Sequence, residues 1–229
     1  VDVVAFDADS ACPWLAMEFI DGESLAARLK RRGALEPQEL WPLGAAIAEA
    51  LEFLHSQGLV HRDLKPENVF LRRENGAPVL GDFGLAWRED LQTLTASEES
   101  VGTPAYMAPE AFDSSRVDAR ADIFSLGVLM YELFLGQLPF NGSSIADTAS
   151  MICNDKPIEP RKIDPSFPYY LQVILGKMLR KPPNERYDNC EDLMIDLEPY
   201  LGDGKKASGS IWQHSIKEIG RALLGNDWK

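Results

Sequence analysis

Residues 58–70 read GLVHRDLKPENVF, with His61, Arg62, Asp63, Lys65 and Asn68 set among apolar neighbours. Charge at this density is costly to desolvate beside a core, so each charged group needs a partner or a task. The stretch begins where a helix ends. From Gln38 to Gln57, Leu40, Leu43, Ile47, Leu51 and Leu54 recur at threes and fours, which predicts a long helix buried on one face. Gly58 stands where that helix should stop. Beyond the motif, VFLRRENGAPVLG (69–81) alternates around Asn75-Gly76 and predicts a small hairpin. The charged residues therefore sit in a loop between a buried helix and a hairpin.

Upstream, VDVVAFDAD and PWLAMEFI predict a pair of strands. DGES offers Asp21 and Ser24 as helix caps, and the helical spacing of LAARLKRRG stops at Gly33. Downstream, residues 88–101 are rich in Glu, Ser and Thr and predict an exposed loop. RADIFSLGVLMYELFLG (120–136) is apolar almost all round, which predicts a helix buried through the middle of a domain. Further helical patterns run over about 144–153, 169–180 and 189–200. GDGKKASGS (202–210) reads as a linker. After it, Ile211, Trp212, Ile216, Ile219 and Leu223 form one face of a short amphipathic helix, whose mixed charge favours packing on protein over lying on a membrane.

A chain of 229 residues, 45% of them hydrophobic, can bury a sizeable core. Its formal net charge of −13, from 23 Lys plus Arg against 36 Asp plus Glu, argues against nucleic acid or an anionic lipid surface as partner. An anionic ligand must then be held by local basic groups or by metal. Cys12, Cys153 and Cys190 are odd in number, widely spaced and outside any C-x-x-C pattern, so neither a disulfide framework nor a zinc site is expected. A reducing, cytoplasmic setting fits them best. No run approaches the roughly 18–20 apolar residues of a membrane span.

Three local signals lie in order along the chain: His61-Arg62-Asp63 with Asn68 five residues on, Asp82-Phe83-Gly84 at the hairpin's end, and Ala108-Pro109-Glu110 beyond the polar loop. An aspartate beside a hydroxyl can orient the attacking oxygen and accept its proton, while a second aspartate and an asparagine amide can hold Mg²⁺ through oxygen ligands. Lys65 is near enough to the first aspartate to reach a transferring phosphoryl group.

With these motifs the sequence, from about residue 1 to residue 200, resembles the protein kinase family, and HRDLKPEN and GTPAYMAPE resemble its serine/threonine-specific branch. The resemblance implies an α+β, mainly α fold: a kinase-like large lobe with a two-strand remnant of the small lobe. It divides the chain into a small-lobe remnant and start of the hinge (1–20), the large lobe (21–201), the linker (202–210) and the tail (211–229). It implies ATP and Mg²⁺ as cofactors and a protein substrate with a Ser or Thr acceptor. Asp63 would be the catalytic base, Lys65 the phosphate contact, Asn68 and Asp82 the Mg²⁺ ligands, and Thr103 a residue bonding the catalytic aspartate. MEFIDGE would be the adenine hinge through the backbone of Glu18, Phe19 and Ile20, with Met17 at the back of the pocket, Glu23 a ribose contact and Phe70 under the adenine ring. Glu110 would pair with Arg186, and Asp122 would accept backbone hydrogen bonds from the 58–70 loop. His61 and Phe83 would pack in the apolar stack behind the site, and Glu132 would contact a basic substrate residue. Arg62 beside the aspartate implies control by phosphorylation in a loop holding Thr93, Thr95, Ser97 and Ser100, with Glu98 and Glu99 supplying permanent charge nearby.

A complete kinase of this kind carries a glycine-rich loop, a strand lysine and a helix glutamate ahead of VDVVAF, and none of the three is found in these residues. ATP is therefore expected to bind this chain alone weakly. Two explanations stand: a piece of a competent kinase, or a naturally shortened pseudokinase serving as a protein-binding platform. The joint presence of Asp63, Lys65, Asn68 and Asp82 favours the first. A small-molecule kinase of related fold fits less well, because the segment from Phe83 to Glu110 resembles the peptide-binding arrangement of protein kinases.

Overall fold

A computed structural model of the protein describes residues 3–7, 14–81, 104–112 and 117–200. The tail at 211–229, the linker, Asp82-Phe83-Gly84, Thr103 and the polar loop at 88–101 lie outside the described residues.

Strands β1 (Val3–Asp7) and β2 (Trp14–Met17) pair antiparallel, with Phe6 opposite Leu15 and a register irregularity between Val3 and Ala5. Among the described residues this sheet has two strands. Val4 and Trp14 are exposed. A second sheet of order β3-β4-β5 is built from Gly22–Ser24, Val69–Arg72 and Pro78–Leu80. The hairpin joining β4 to β5 closes at the expected Asn-Gly: Gly76 takes φ +70°, its N–H reaches the Arg72 carbonyl, and Asn75 Oδ1 accepts from Ala77 N–H. Strand β3 departs from expectation, since DGES was read as capping residues alone. Ser24 does cap α1 (Leu25–Arg32), accepting from Ala27 N–H at 3.2 Å. Asp21 does not, because its carboxylate and its carbonyl both accept from Arg73 at 2.8 Å, each across the sheet.

Helix α2 (Pro37–Ser56) follows its apolar period: Leu40, Ile47, Leu51 and Leu54 are buried and Leu43 is partly so. Gly58 then turns the chain at φ +75°, a conformation a side chain would resist. Against α2 lies α3 (Arg120–Leu135), in which only Arg120, Glu132 and Leu135 escape full burial. The near absence of a polar face, read from 120–136, thus marks a helix enclosed by others. Helices α4 (Ile145–Asn154), α5 (Pro160–Ile163), α6 (Tyr169–Met178) and α7 (Cys190–Leu197) complete the domain, with α6 against α3 and α7 against α2. A 3₁₀ turn, Glu198–Tyr200, continues α7 over the predicted range. The short α5, opened by Pro160, had no periodic signal.

One cluster gathers Leu51 and Ile47 of α2, Phe124 and Leu126 of α3, Leu175 of α6 and Leu193 of α7. Leu51→Ala is expected to destabilise the domain by about 2–5 kcal/mol through lost burial plus the cavity left behind. A urea midpoint unmoved by that substitution would show that the α2 face does not carry the core.

Candidate active site

The site is held from behind. Asp122, in the first turn of α3 and fully buried, accepts the backbone N–H of His61 at 2.8 Å and of Arg62 at 2.9 Å. The same carboxylate accepts His55 Nε2 at 2.8 Å, a contact across 67 residues. Arg62 is the one described non-glycine residue with positive φ, at 65°. Two hydrogen bonds from adjacent N–H groups to one buried carboxylate hold the loop in that strained turn. The expectation that Asp122 would fix the loop backbone is met.

His61 is a packing and bridging residue, fully buried. Its Nδ1 accepts from Asp63 N–H at 3.4 Å and its Nε2 lies 3.2 Å from the Gly81 carbonyl, so the proton belongs on Nε2. The ring thereby ties the aspartate loop to the end of the hairpin, next to Asp82.

Asp63, Lys65 and Asn68 converge. Lys65 Nζ donates to both carboxylate oxygens of Asp63, at 2.7 and 3.0 Å. Asn68 Nδ2 donates to Asp63 Oδ2 and to its carbonyl, both at 2.8 Å. The Pro66–Asn68 3₁₀ turn presents that amide, and Gly81 N–H on the Asn68 carbonyl at 2.8 Å locks it to the hairpin. With its nitrogen committed to Asp63, the amide of Asn68 has Oδ1 as the atom that could take a cation. Asp63 nevertheless stays open, its side chain 47% exposed. A carboxylate held by two donors and still facing solvent is placed to meet a substrate hydroxyl.

The predicted nucleotide contacts are more scattered. Phe70, on β4, sets its ring against Gly81, where an added Cβ would approach Phe70 Cε2 to 2.8 Å. Glu18 pairs with Arg72 at 2.7 Å. Phe19 is 88% exposed, and Ile20 is partly buried. Met17, at the end of β2, is exposed. Glu23 pairs with Arg31 at 2.6 Å, because β3 leads straight into α1 and brings the two together.

Glu110 and Arg186 form the buried pair read from their motifs, bidentate at 2.7 Å for each bond. Arg186 also donates to the carbonyls of Arg180, Arg120 and Lys181, which uses its whole guanidinium fork. Glu132 accepts from Tyr106 OH at 2.5 Å. Burial raises the Glu132 carboxyl above its usual range, and nearby Glu67 pushes it further in that direction. Burial chiefly, with help from Glu132, raises the Tyr106 phenol. Tyr106, Glu67 and His55 were not singled out from the sequence; Glu67 stands inside the HRDLKPEN motif and was the one open to discovery.

Comparison with known proteins gives the family. A family model described as "Protein kinase domain" matches residues 2–196. The serine/threonine-protein kinase PkaA of Streptomyces coelicolor is 39% identical over 215 residues, covering 93% of this chain and 38% of its own length. Pkn1 of Myxococcus xanthus is 38% identical over 214 residues, covering 91% of this chain and 30% of itself. PknB of Mycobacterium leprae is 33% identical over 186 residues, or 81% of this chain and 30% of its own. The chain thus spans about a third of the curated relatives it matches. Among solved structures, Rad53 1-466 in complex with AMP-PNP superposes with a TM-score of 0.70 at 26% identity, covering 87% of this chain and 50% of that one. The chain belongs to the protein kinase family, and its fold is the mainly helical α+β arrangement of that family.

Proposed function

We propose that these residues are the catalytic region of an ATP-dependent serine/threonine protein kinase, which transfers the γ-phosphoryl group of Mg·ATP to Ser or Thr hydroxyls of proteins. The observation that carries the reading is the clasp of Lys65 and Asn68 on a half-exposed Asp63, in a loop pinned by buried Asp122. Asp63 orients the substrate hydroxyl and takes its proton as the oxygen attacks the γ-phosphorus and ADP leaves. Lys65 swings from Asp63 toward the phosphoryl oxygens and offsets their charge. Asn68 Oδ1 and the Asp82 carboxylate suit Mg²⁺, a hard cation that prefers oxygen ligands and would neutralise the nucleotide phosphates. Thr103 bonds Asp63 once substrate is in place, and Phe70 supports the adenine, whose edge meets the backbone of Glu18 to Ile20.

Glu132 and Glu67 form an acidic spot beside Tyr106, and a basic substrate residue would relieve their mutual repulsion. The net charge of −13 argues against nucleic acid as a partner. Among the described residues no helix is long and apolar enough to cross a membrane, and Cys153 and Cys190 are unpaired. The unpaired cysteines accord with a reducing, cytoplasmic setting.

The test uses the full-length protein with labelled ATP and a generic basic protein substrate. Label on serine or threonine, dependent on Mg²⁺ or Mn²⁺, is the expected product. Full-length protein that labels neither itself nor a substrate at any concentration of either cation would overturn the proposal.

A further inference from the structure

We infer that Glu52, His55 and Cys190 form a binding site for a divalent transition metal of the zinc type, behind the 58–70 loop and separate from the Mg²⁺ ligands above. Glu52 and His55 lie one turn apart near the end of α2, and Cys190 opens α7, the helix packed on α2. One ligand atom from each falls within 4.8 Å of the other two. The Cys190 sulfur is 3.9 Å from His55 Nδ1.

The histidine is oriented as a ligand should be. Asp122 Oδ2 accepts from His55 Nε2 at 2.8 Å, which puts the ring proton on Nε2 and leaves the Nδ1 lone pair aimed at Cys190. An imidazole that gives its other N–H to a carboxylate is the usual outer arrangement of a bound metal. Glu52 is oriented as well: its Oε2 accepts from Cys190 N–H at 2.9 Å and from Glu191 N–H at 3.2 Å. Its Oε1 has no hydrogen bond among the described residues. Neither Glu52 nor Asp122 pairs with a lysine or arginine there, so the local carboxylate charge meets no competing cation.

A thiolate, an imidazole and a carboxylate with one open position suit Zn²⁺. Tetrahedral bonds of about 2.0–2.3 Å bring ligand atoms to about 3.3–3.8 Å from one another, so the longest separation here closes by about 1 Å, within the reach of a glutamate side chain. Spacing rules could not find this set, because Cys190 stands 138 residues from Glu52. The plainer role of the same three residues is structural, Glu52 capping α7 and the thiol hydrogen-bonding the ring. The two roles differ in what added metal does. A metal here would also fix His55, hence Asp122 and the strained turn at Arg62.

The test is a titration of the chelator-stripped 229-residue chain with Zn²⁺ by calorimetry, in excess Mg²⁺, and with Co²⁺ by absorbance. One tight equivalent of Zn²⁺ is expected, together with a thiolate-to-cobalt charge-transfer band. Cys190→Ala should remove the band, and Glu52→Gln, which keeps an oxygen for the cap, should weaken Zn²⁺ binding by at least about tenfold. Cys153→Ala should change neither. If Cys190→Ala fails to fold, the wild-type band and Glu52→Gln still decide the matter. No stoichiometric binding, no band, or binding indifferent to Glu52→Gln would overturn the proposal, whatever the phosphoryl-transfer assay returns.

Discussion

Asp63→Asn is expected to abolish phosphoryl transfer while leaving nucleotide binding nearly as it was. Loss of a general base lowers kcat by about 10²–10⁴-fold, and nothing else in the 58–70 loop can replace it: His61 is buried with both ring nitrogens committed. The substitution keeps an oxygen that Lys65 Nζ and Asn68 Nδ2 can still donate to, so the loop should hold its shape. Asp82→Ala supplies the contrast. It removes a proposed metal ligand, so it should weaken binding of Mg·ATP as well as transfer. Measured in the full-length protein by labelled transfer and by nucleotide titration, equal losses of binding in the two variants would contradict the division of roles.

Arg186→Leu should be strongly destabilising. The guanidinium lies with no side-chain exposure, makes two bonds to Glu110 and three to backbone carbonyls, and stacks 4.9 Å above the Phe124 ring centroid. Its removal leaves a carboxylate and three carbonyls short of donors in a site that water barely enters. Breaking a buried pair from one side typically costs about 3–5 kcal/mol. For a domain of this size that corresponds to a fall in Tm of about 6–20 °C. Glu110→Gln, which retains an acceptor for one arm of the fork, should cost less. A calorimetric Tm within a degree or two of the parent for Arg186→Leu would show that the pair contributes nothing net.

How much of this could be read in advance depended on the range of the interaction. Helices α2 and α3 were legible because burial imposes a period, or its absence, on many consecutive residues. The convergence of Asp63, Lys65 and Asn68 was legible because all three lie within one turn of the chain. Strand β3 was not, since three residues carry no period; it exists because Gly22 tolerates the approach of Leu71, whose carbonyl oxygen would lie 2.0 Å from an added Cβ. The ion pair of Glu23 was not legible for a related reason. Its partner Arg31 is eight residues away, and only the strand-to-helix turn between them makes the ion pair. The contacts of His55 with Asp122 and with Cys190 were invisible because they join three helices distant in sequence.

Helix α3 touches each of these regions by a different residue. Asp122 holds the loop of Asp63, the Arg120 carbonyl takes Arg186, Ser125 Oγ donates to the Tyr106 carbonyl at 2.7 Å, and Glu132 receives the Tyr106 hydroxyl. The rod is enclosed along its length and so works as a common axle. The Asp63 loop, the Arg186 anchor and the acidic spot share one frame of reference, and a displacement of α3 would throw all three out of register together. Switching in such a domain has to be carried by the segments that turn about α3, with the helix itself as the part that stays still.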